Sequence, residues 1–425
     1  MSPAETILAS ARSRQIEIVL DLSRLLSRCL HDTPTGVDRV EMAYARHLLA
    51  LLPEVLAFSA VHPLAGYGRL SPRAVLRFLD ETEARWAREA PPRAAPRYAR
   101  AFRDLWRLRP KRIPPANVPR YLIQASPNHL HRRSVVRAKL RREVAYYICL
   151  VHDLIPIEFP EYARPGGAGK HIERMATLAA CADLLVANSA ATAETMANFL
   201  ATQDRSPPVF PVLLGTAPKP PGAATGRLVA AAKPYFLILG TIEPRKNHLL
   251  LLNIWREMVR TAGAAATPLL VIIGRRGWEN ENVLDMIERS ELIRDHVVEL
   301  SQIPDAEVEQ WLNGARALLM PSFAEGFGMP VAEAMIAGTP IICSDIPALR
   351  EVGGDVPDYI SPLDGAEWMA AIRDYCSETS QARMSQIARL GHASLPTWDE
   401  HVMGVLSALA TLPAKPGARL TLLTG

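Results

Sequence analysis

No apolar run in this 425-residue chain approaches the roughly 18 residues needed to cross a bilayer, so a membrane-spanning helix is excluded. The N-terminal stretch MSPAETILASARSRQ lacks a continuous apolar segment, which argues against a signal peptide. Cysteine is scarce and scattered. Cys29, Cys149, Cys181, Cys343 and Cys376 form no Cys-x-x-Cys pair and are odd in number, which argues against a disulfide framework or a zinc site and fits a reducing cytoplasm. The expectation is a cytoplasmic protein, soluble or peripheral on the inner face of the cell membrane.

Hydrophobic residues make up 49% of the chain, enough to fill sizeable cores, and 425 residues suit two or three domains. Charge is segregated. Between Arg69 and Arg142 there are 20 Lys and Arg against five Asp and Glu, a local balance of +15 in a chain whose formal net charge is +4. One reading is a solvated arginine-rich surface; the other is contact with an anionic membrane surface or a lipid pyrophosphate. Nucleic acid is not expected as a partner, because no recognised motif or aromatic interleaving accompanies these arginines.

Strand-like runs alternate with helical patterns through both halves, the signature of α/β domains with parallel sheets. Strands are predicted near Ile16–Leu22, Val55–Val61, Arg120–Ala125, Val144–Val151, Asp183–Asn188 and Val209–Leu213. A second set falls at Tyr235–Gly240, Leu269–Gly274, Val297–Leu300, Ala315–Met320 and Pro340–Cys343. Helical patterns lie at Val37–Leu51, Gly169–Ala182, Ala190–Leu200, Asn247–Thr261, Asp305–Asn313, Pro330–Ala337 and Gly365–Cys376. These divide the chain into a first domain at 1–218, a Pro, Gly and Ala-rich linker at 219–233 and a second domain at 234–395. A last helix and tail occupy 396–425. Within the first domain, 63–119 carries nine prolines and reads as an insertion able to hold short helices such as Ser71–Arg88 but no regular strand.

The most informative stretch is PSFAEGFGMPVAEAMIAGTPIICSD, Pro321 to Asp345. It sets Glu325 and Glu333 eight positions apart across a glycine-rich turn that opens a helix near Pro330. Unpaired amides at a helix start favour an anion, and a carboxylate on either side suits a ligand with hydroxyls and a phosphate. Arg245 and Lys246 follow a predicted strand and precede a helix, which brings them to a sheet's C-terminal edge; their bland role is a basic cap on a loop. Gly240 and Thr241 shape that turn. His152 and Asp153 end the apolar strand VAYYICLVHD, and Asn188 and Ser189 end another. Gly36 follows Thr35 at the start of a helix whose first turn holds Asp38 and Arg39, where capping is the simplest role.

Four segments in order resemble retaining glycosyltransferases of the GT-B fold, most closely glycosyltransferase family 4, and of a mannosyltransferase-like kind. They are TPTGVDRVEMAYARHLL, VHDLIPIEFPE with LLVANSAATAETM, GTIEPRKNHLLLL, and the Glu-x7-Glu stretch. The resemblance reaches nearly the whole chain except Pro63 to Pro119. A second glycine that the family often has near Gly36 is missing; Pro34 and Thr35 stand there.

The resemblance implies two doubly wound, Rossmann-like α/β domains facing across a cleft, with the last helix crossing back to the first domain. Arg245 and Lys246 would hold the diphosphate, and Glu325 the donor sugar's hydroxyls. Gly326, Phe327 and Gly328 would contact sugar and phosphate through their amides, and Glu333 the ribose. His152 would position sugar or acceptor, and these roles group His152, Glu325, Arg245 and Lys246 as the catalytic set. Gly36, Asp153, Asn188, Gly240 and Thr241 would line the substrates. No cofactor and no metal are expected, because fixed cations can stabilise the leaving diphosphate and no Asp-x-Asp stands at a strand end. The expected partners are a nucleotide-diphosphate sugar, GDP-mannose as first guess, and a glycan or polyprenyl-pyrophosphate-linked acceptor in bacterial surface polysaccharide synthesis. Residues 69–142 would touch anionic membrane. The rivals are a GT-B-fold sugar-nucleotide epimerase and a non-catalytic sugar-nucleotide-binding module. Acceptor, linkage and oligomeric state are not written in the sequence.

Overall fold

The structure is a computed structural model describing residues 2–87, 97–217 and 233–413. The predicted linker, apart from Lys233, and the tail from 414 onward lie outside the described residues, as does part of the insertion. Two units emerge. The first comprises Met1–Leu154, Gly169–Gly215 and Thr397–Gly425; the second comprises Ile155–Ala168 and Thr216–Pro396.

In the first unit, β1 (Glu17–Asp21), β2 (Leu56–His62), β3 (Gly66–Arg69), β4 (Arg120–Gln124), β5 (Tyr146–Val151), β6 (Leu184–Ala187) and β7 (Val209–Pro211) form one sheet in the order 3-2-1-4-5-6-7. All neighbours are parallel except β2 and β3. Ile18, Val19 and Leu20 of β1 are buried on both faces, as a central parallel strand requires. The helices in chain order are α1 (Pro3–Arg12), α2 (Ser23–Ser27), α3 (Gly36–Leu51), α4 (Pro72–Trp86), α5 (Arg97–Arg107), α6 (Arg133–Glu143), α7 (Ile155–Glu158), which groups with the second unit, α8 (Gly167–Cys181) and α9 (Ala190–Leu200).

The expectation of no regular strand in 63–119 is wrong. GYGR forms β3 because Tyr67 turns inward, its hydroxyl 3.0 Å from Ser59 Oγ and 2.8 Å from Glu143 Oε1, while Arg69 pairs with Glu143 at 2.8 Å. Lys111, past the insertion's second helix, bridges to Arg69 and covers the edge. The first domain also loses a piece of the span assigned to it from sequence, because 155–168 groups with the second unit. There the Tyr162 ring stacks on Phe323 with centroids 5.6 Å apart, and Trp278 Nε1 donates to the Tyr162 carbonyl at 2.9 Å.

The second sheet holds β8 (Tyr235–Leu239), β9 (Leu269–Ile273), β10 (Val297–Leu300), β11 (Leu318–Met320), β12 (Ile341–Ser344) and β13 (Asp358–Ile360), all parallel in the order 10-9-8-11-12-13. Its helices are α10 (His248–Ala262), α11 (Glu281–Arg289), α12 (Asp305–Gly314), α13 (Met329–Ala337), α14 (Pro347–Gly353), α15 (Gly365–Cys376) and α16 (Gln381–Leu390). Trp255, Phe236, Leu252 and Trp368 fill the core between sheet and helices. In this order the winding reverses between β8 and β11, and a crevice outside their C-terminal ends is where such sheets take ligands.

The last helix, α17 (Trp398–Leu409), belongs to the first unit, capped by a Thr397–Glu400 box. His401 fixes it: Nδ1 donates to the Leu213 carbonyl at 2.7 Å and Nε2 accepts from the Tyr44 hydroxyl at 2.7 Å. Burial lowers the His401 pKa to about 4, so the ring is neutral at pH 7.

Candidate functional site

Both loops that flank the reversal in the second sheet carry charged side chains. β8 ends at Leu239, and Gly240 then takes φ +136°, a conformation L side chains rarely adopt. A Cβ at Gly240 would also press within 3.3 Å of Lys246 Cε, so the glycine leaves room for that stem. Pro244–Lys246 make one 3₁₀ turn, and Asn247, at φ +56°, breaks it and opens α10. The Asn247 amide donates to the Pro362 carbonyl at 3.0 Å, which anchors the strained residue.

From the β11 side, the Phe323 N–H donates to the Arg245 carbonyl at 2.8 Å, and Arg245 Nη1 donates to the Ala324 carbonyl at 2.9 Å. These bonds zip the two loops together and bring Glu325 onto the basic pair. Glu325 Oε1 lies 2.6 Å from Lys246 Nζ, and Oε2 lies 2.7 Å from Arg245 Nη1. Glu243 holds the other side of Arg245, at 2.6 Å from Nε. Two cations and two carboxylates therefore share one mostly buried cluster with no net charge.

Burial acts to raise the Glu325 carboxyl, but the Arg245 guanidinium and the Lys246 ammonium outweigh it and hold the group at about 2. Burial lowers the Lys246 pKa against the pull of Glu325. Burial raises the Glu243 carboxyl, and Arg245 only partly offsets it. His248, one turn on, is buried with neither ring nitrogen hydrogen-bonded within the protein, and burial drives its pKa down to about 3.

After Glu325 the chain turns into α13. Gly328 caps the helix at φ +100°, and a Cβ there would strike Leu349 Cδ2 at 2.5 Å. Phe327 is buried and Gly326 half-buried; Glu333 is half-buried on the helix, with Met329 rather than Pro330 as the first helical residue. Thr241 is half-buried beside Gly240. The structure thus gathers Arg245, Lys246 and Glu325 in direct contact, with Gly240, Thr241, Gly326, Phe327 and Gly328 on the same two loops. Sequence reasoning passed over Glu243, although it stands in GTIEPRKN two positions before Arg245, and Phe323, whose amide joins the loops.

In the first unit the named residues also stand at the sheet's C-terminal edge. His152 follows β5, and its Nε2 lies 2.8 Å from the Ala125 carbonyl, just past β4. A carbonyl only accepts, so Nε2 carries the proton and Nδ1 is left as an acceptor. Burial lowers the His152 pKa, which keeps the ring neutral. The Asp153 carbonyl is 3.1 Å from His171 Nε2. Asn188 is buried with Oδ1 unsatisfied, and Ser189 caps α9 through the Thr192 N–H. Gly36 begins α3 behind a Thr35–Asp38 capping box, and Asp38 is further bound by Arg24 at 2.6 Å. Among the described residues no three His, Cys, Asp or Glu side chains form a group that could hold a metal.

Residues 227–386, which carry the whole Arg245, Lys246 and Glu325 cluster, match the family described as Glycosyl transferases group 1. The chain carries a glycosyl transferases group 1 domain. Similar proteins include the O-antigen chain mannosyltransferase B of Escherichia coli, 31% identical over 179 residues, 42% of this chain and 46% of that protein. The serotype-specific mannosyltransferase WbdA of Escherichia coli is 27% identical over 262 residues, 58% of this chain and 32% of that protein. The chain spans about a third to a half of the length of these curated relatives. Among solved structures, α,α-trehalose 6-phosphate synthase from Burkholderia multivorans superposes with a TM-score of 0.57 at 13% identity, covering 93% of this chain and 99% of that one. Anabaena Alr3699/HepE in complex with UDP gives a TM-score of 0.54 at 13% identity, covering 93% and 98%. The fold around the group 1 domain is therefore GT-B, two Rossmann-like α/β units.

Proposed function

We propose that the protein is a retaining, metal-independent glycosyltransferase that moves a hexose from a nucleotide-diphosphate sugar to a glycan or a polyprenyl-pyrophosphate-linked acceptor. The observation that carries this is the contact of Arg245 and Lys246 with Glu325, at the winding reversal of the second sheet and beside the glycine-capped start of α13. A diphosphate is a good fit there: two fixed cations can turn to its oxygens, and Glu325 is then released from them to accept hydrogen bonds from sugar hydroxyls. The bond from the anomeric carbon to the diphosphate breaks and one to the acceptor oxygen forms on the same face. The acceptor's proton leaves with the departing phosphate. His152, neutral and with Nδ1 open to accept, would orient a hydroxyl.

The mannosyltransferase names of the relatives favour GDP-mannose as donor and bacterial surface polysaccharide as setting. No helix among the described residues is long and apolar enough to cross a membrane. A polyprenyl-linked acceptor would set the reaction at the inner face of the cell membrane, with the protein cytoplasmic and peripheral there. The test is thermal unfolding with GDP-, UDP- and dTDP-sugars, since a ligand at a hundred times its Kd adds about 2.7 kcal/mol of stability. A melting-point rise with one class, followed by chelator-resistant transfer to a glycan acceptor, is the expected result. No shift with any of them, or turnover of the sugar nucleotide without an acceptor, overturns the proposal.

A further inference from the structure

Part of the basic surplus of 69–142 is spent inside the fold. Arg69 and Arg120 share Glu17 and Glu143, Lys139 is bound to Asp21, and Arg85 and Arg100 face Asp32. Several of these carboxylates lie outside that stretch of sequence, where a window count cannot see them. What remains exposed is sharper than a charge total. On α5, Tyr98, Phe102 and Trp106 are 64%, 63% and 58% exposed. Spaced four apart, they form one stripe along the helix. The Phe102 and Trp106 rings stack with centroids 6.5 Å apart.

The opposite face is firmly held. Ala101 and Asp104 are buried, His62 Nε2 lies 2.9 Å from the Leu105 carbonyl, and Arg100 pairs with Asp32 at 2.7 Å. His62 ends β2 and Asp32 follows α2, so α5 lies against the same C-terminal sheet edge as Gly36 and His152. Cations flank the stripe. Arg97 sits 4.8 Å over the Tyr98 ring and Arg109 4.1 Å over Trp106. Arg97, Arg109, Lys111 and Arg112 make no ion pair among the described residues, and the one carboxylate of α5, Asp104, is on the buried face.

We propose that the Tyr98, Phe102 and Trp106 face of α5 is a docking surface for an anionic lipid bilayer. Its rings would enter the interface between headgroups and acyl chains, while Arg97, Arg109, Lys111 and Arg112 contact anionic headgroups. An exposed aromatic stripe with guanidiniums over two of its rings, on a helix whose one acid is buried, suits a lipid interface with anionic headgroups. The helix is held by His62 and Asp32 on the edge where the first unit presents His152, so, resting on the proposed transferase function, docking would bring that edge to a lipid-linked acceptor.

The test is co-sedimentation of the full chain with phosphatidylcholine vesicles, with and without phosphatidylglycerol. Wild type is expected to bind the anionic vesicles, more strongly at low salt. The triple variant Tyr98→Ser, Phe102→Ser, Trp106→Ser should lose roughly tenfold or more of that partitioning while melting as wild type does, because the three rings are solvent-exposed. Arg97→Gln, Arg109→Gln, Lys111→Gln, Arg112→Gln should abolish the preference for anionic vesicles. Arg132→Gln, Arg137→Gln, Arg141→Gln, on and beside α6, should change little. Absence of wild-type binding at low salt, wild-type binding by the aromatic variant, or a larger loss from the α6 set overturns the assignment. So does a change of oligomeric state in the aromatic variant without loss of vesicle binding, which would make the face a contact between copies. Nucleotide-sugar stabilisation is read separately on the same samples; its absence would sink the transferase proposal and leave the docking result standing.

Discussion

Lys246 Nζ lies 2.6 Å from Glu325 Oε1 across 79 residues of sequence, and Arg245 completes the grip on the second carboxylate oxygen at 2.7 Å. One backbone bond, Phe323 N–H to the Arg245 carbonyl, and one from the Arg245 side chain to the Ala324 carbonyl tie the two loops, so the sheet ends bring the three side chains within reach of one another. Lys246→Ala still leaves Glu325 its Arg245 partner. The fold should therefore lose less than the 3–5 kcal/mol typical of a buried charge stripped of every partner. Catalysis should suffer more. Arg245→Ala and Lys246→Ala are each expected to lower kcat/KM by the equivalent of about 2–4 kcal/mol, the range for removing one donor to developing negative charge. Steady-state transfer assays beside denaturant melts separate the two effects, and unchanged kcat/KM in both variants would remove the pair from the chemistry.

Glu325 also sets a pH dependence. Its folded-state pKa, about 2, is below the ordinary 4.5, so the ionised form favours the folded state. Above 4.5 both states are ionised and the stabilisation is complete; it drains away as pH falls from about 4.5 toward 2. Glu325→Gln cannot titrate. The difference in unfolding free energy between wild type and variant should shrink across that window and be flat between pH 5 and 7. A difference that stays constant down to pH 2 would mean the carboxylate is not held by the two cations.

The sheets and the loops after β8 and β11 were legible because their signals are local. YFLILG and RALLMP are apolar runs of strand length, and Gly240 after the first and Gly326 and Gly328 after the second mark the turns that follow them. The capping role read for the first turn after Gly36 likewise follows from residue type and spacing, and Asp38 fills it in a box with Thr35. What escaped depends on distant partners. GYGR of β3 looks like a turn until Glu143 and Ser59 arrive to satisfy Tyr67 and Arg69. The grouping of 155–168 with the second unit rests on Phe323 and Trp278, more than a hundred residues away. Glu325 was read as a ligand for sugar hydroxyls, and nothing in its own motif announced that Arg245 and Lys246 would occupy both its oxygens.

Among the buried ion pairs of the first unit, one ties α6 to the end of β1. Lys139 Nζ on α6 reaches Asp21 Oδ2 at the end of β1 and Gln124 Oε1 at the end of β4, 2.6 Å from each. All three side chains are buried. Gln124 is oriented by the rest of its bonds: its oxygen also accepts from the Tyr147 hydroxyl at 3.0 Å, and its nitrogen donates to the Ser126 and Asn128 carbonyls at 2.8 and 2.9 Å. Asp21 keeps one other donor, the Ser23 N–H at 2.8 Å. Lys139→Met preserves most of the stem's packing but strands the Asp21 carboxylate in the core, at an expected cost of about 3–5 kcal/mol in urea unfolding. Adding Asp21→Asn to that variant removes the stranded charge, so the double variant should be more stable than Lys139→Met alone even though it carries one more substitution. If the two losses simply add, Asp21 and Lys139 are not energetically coupled and the sheet end is held by Gln124 without them.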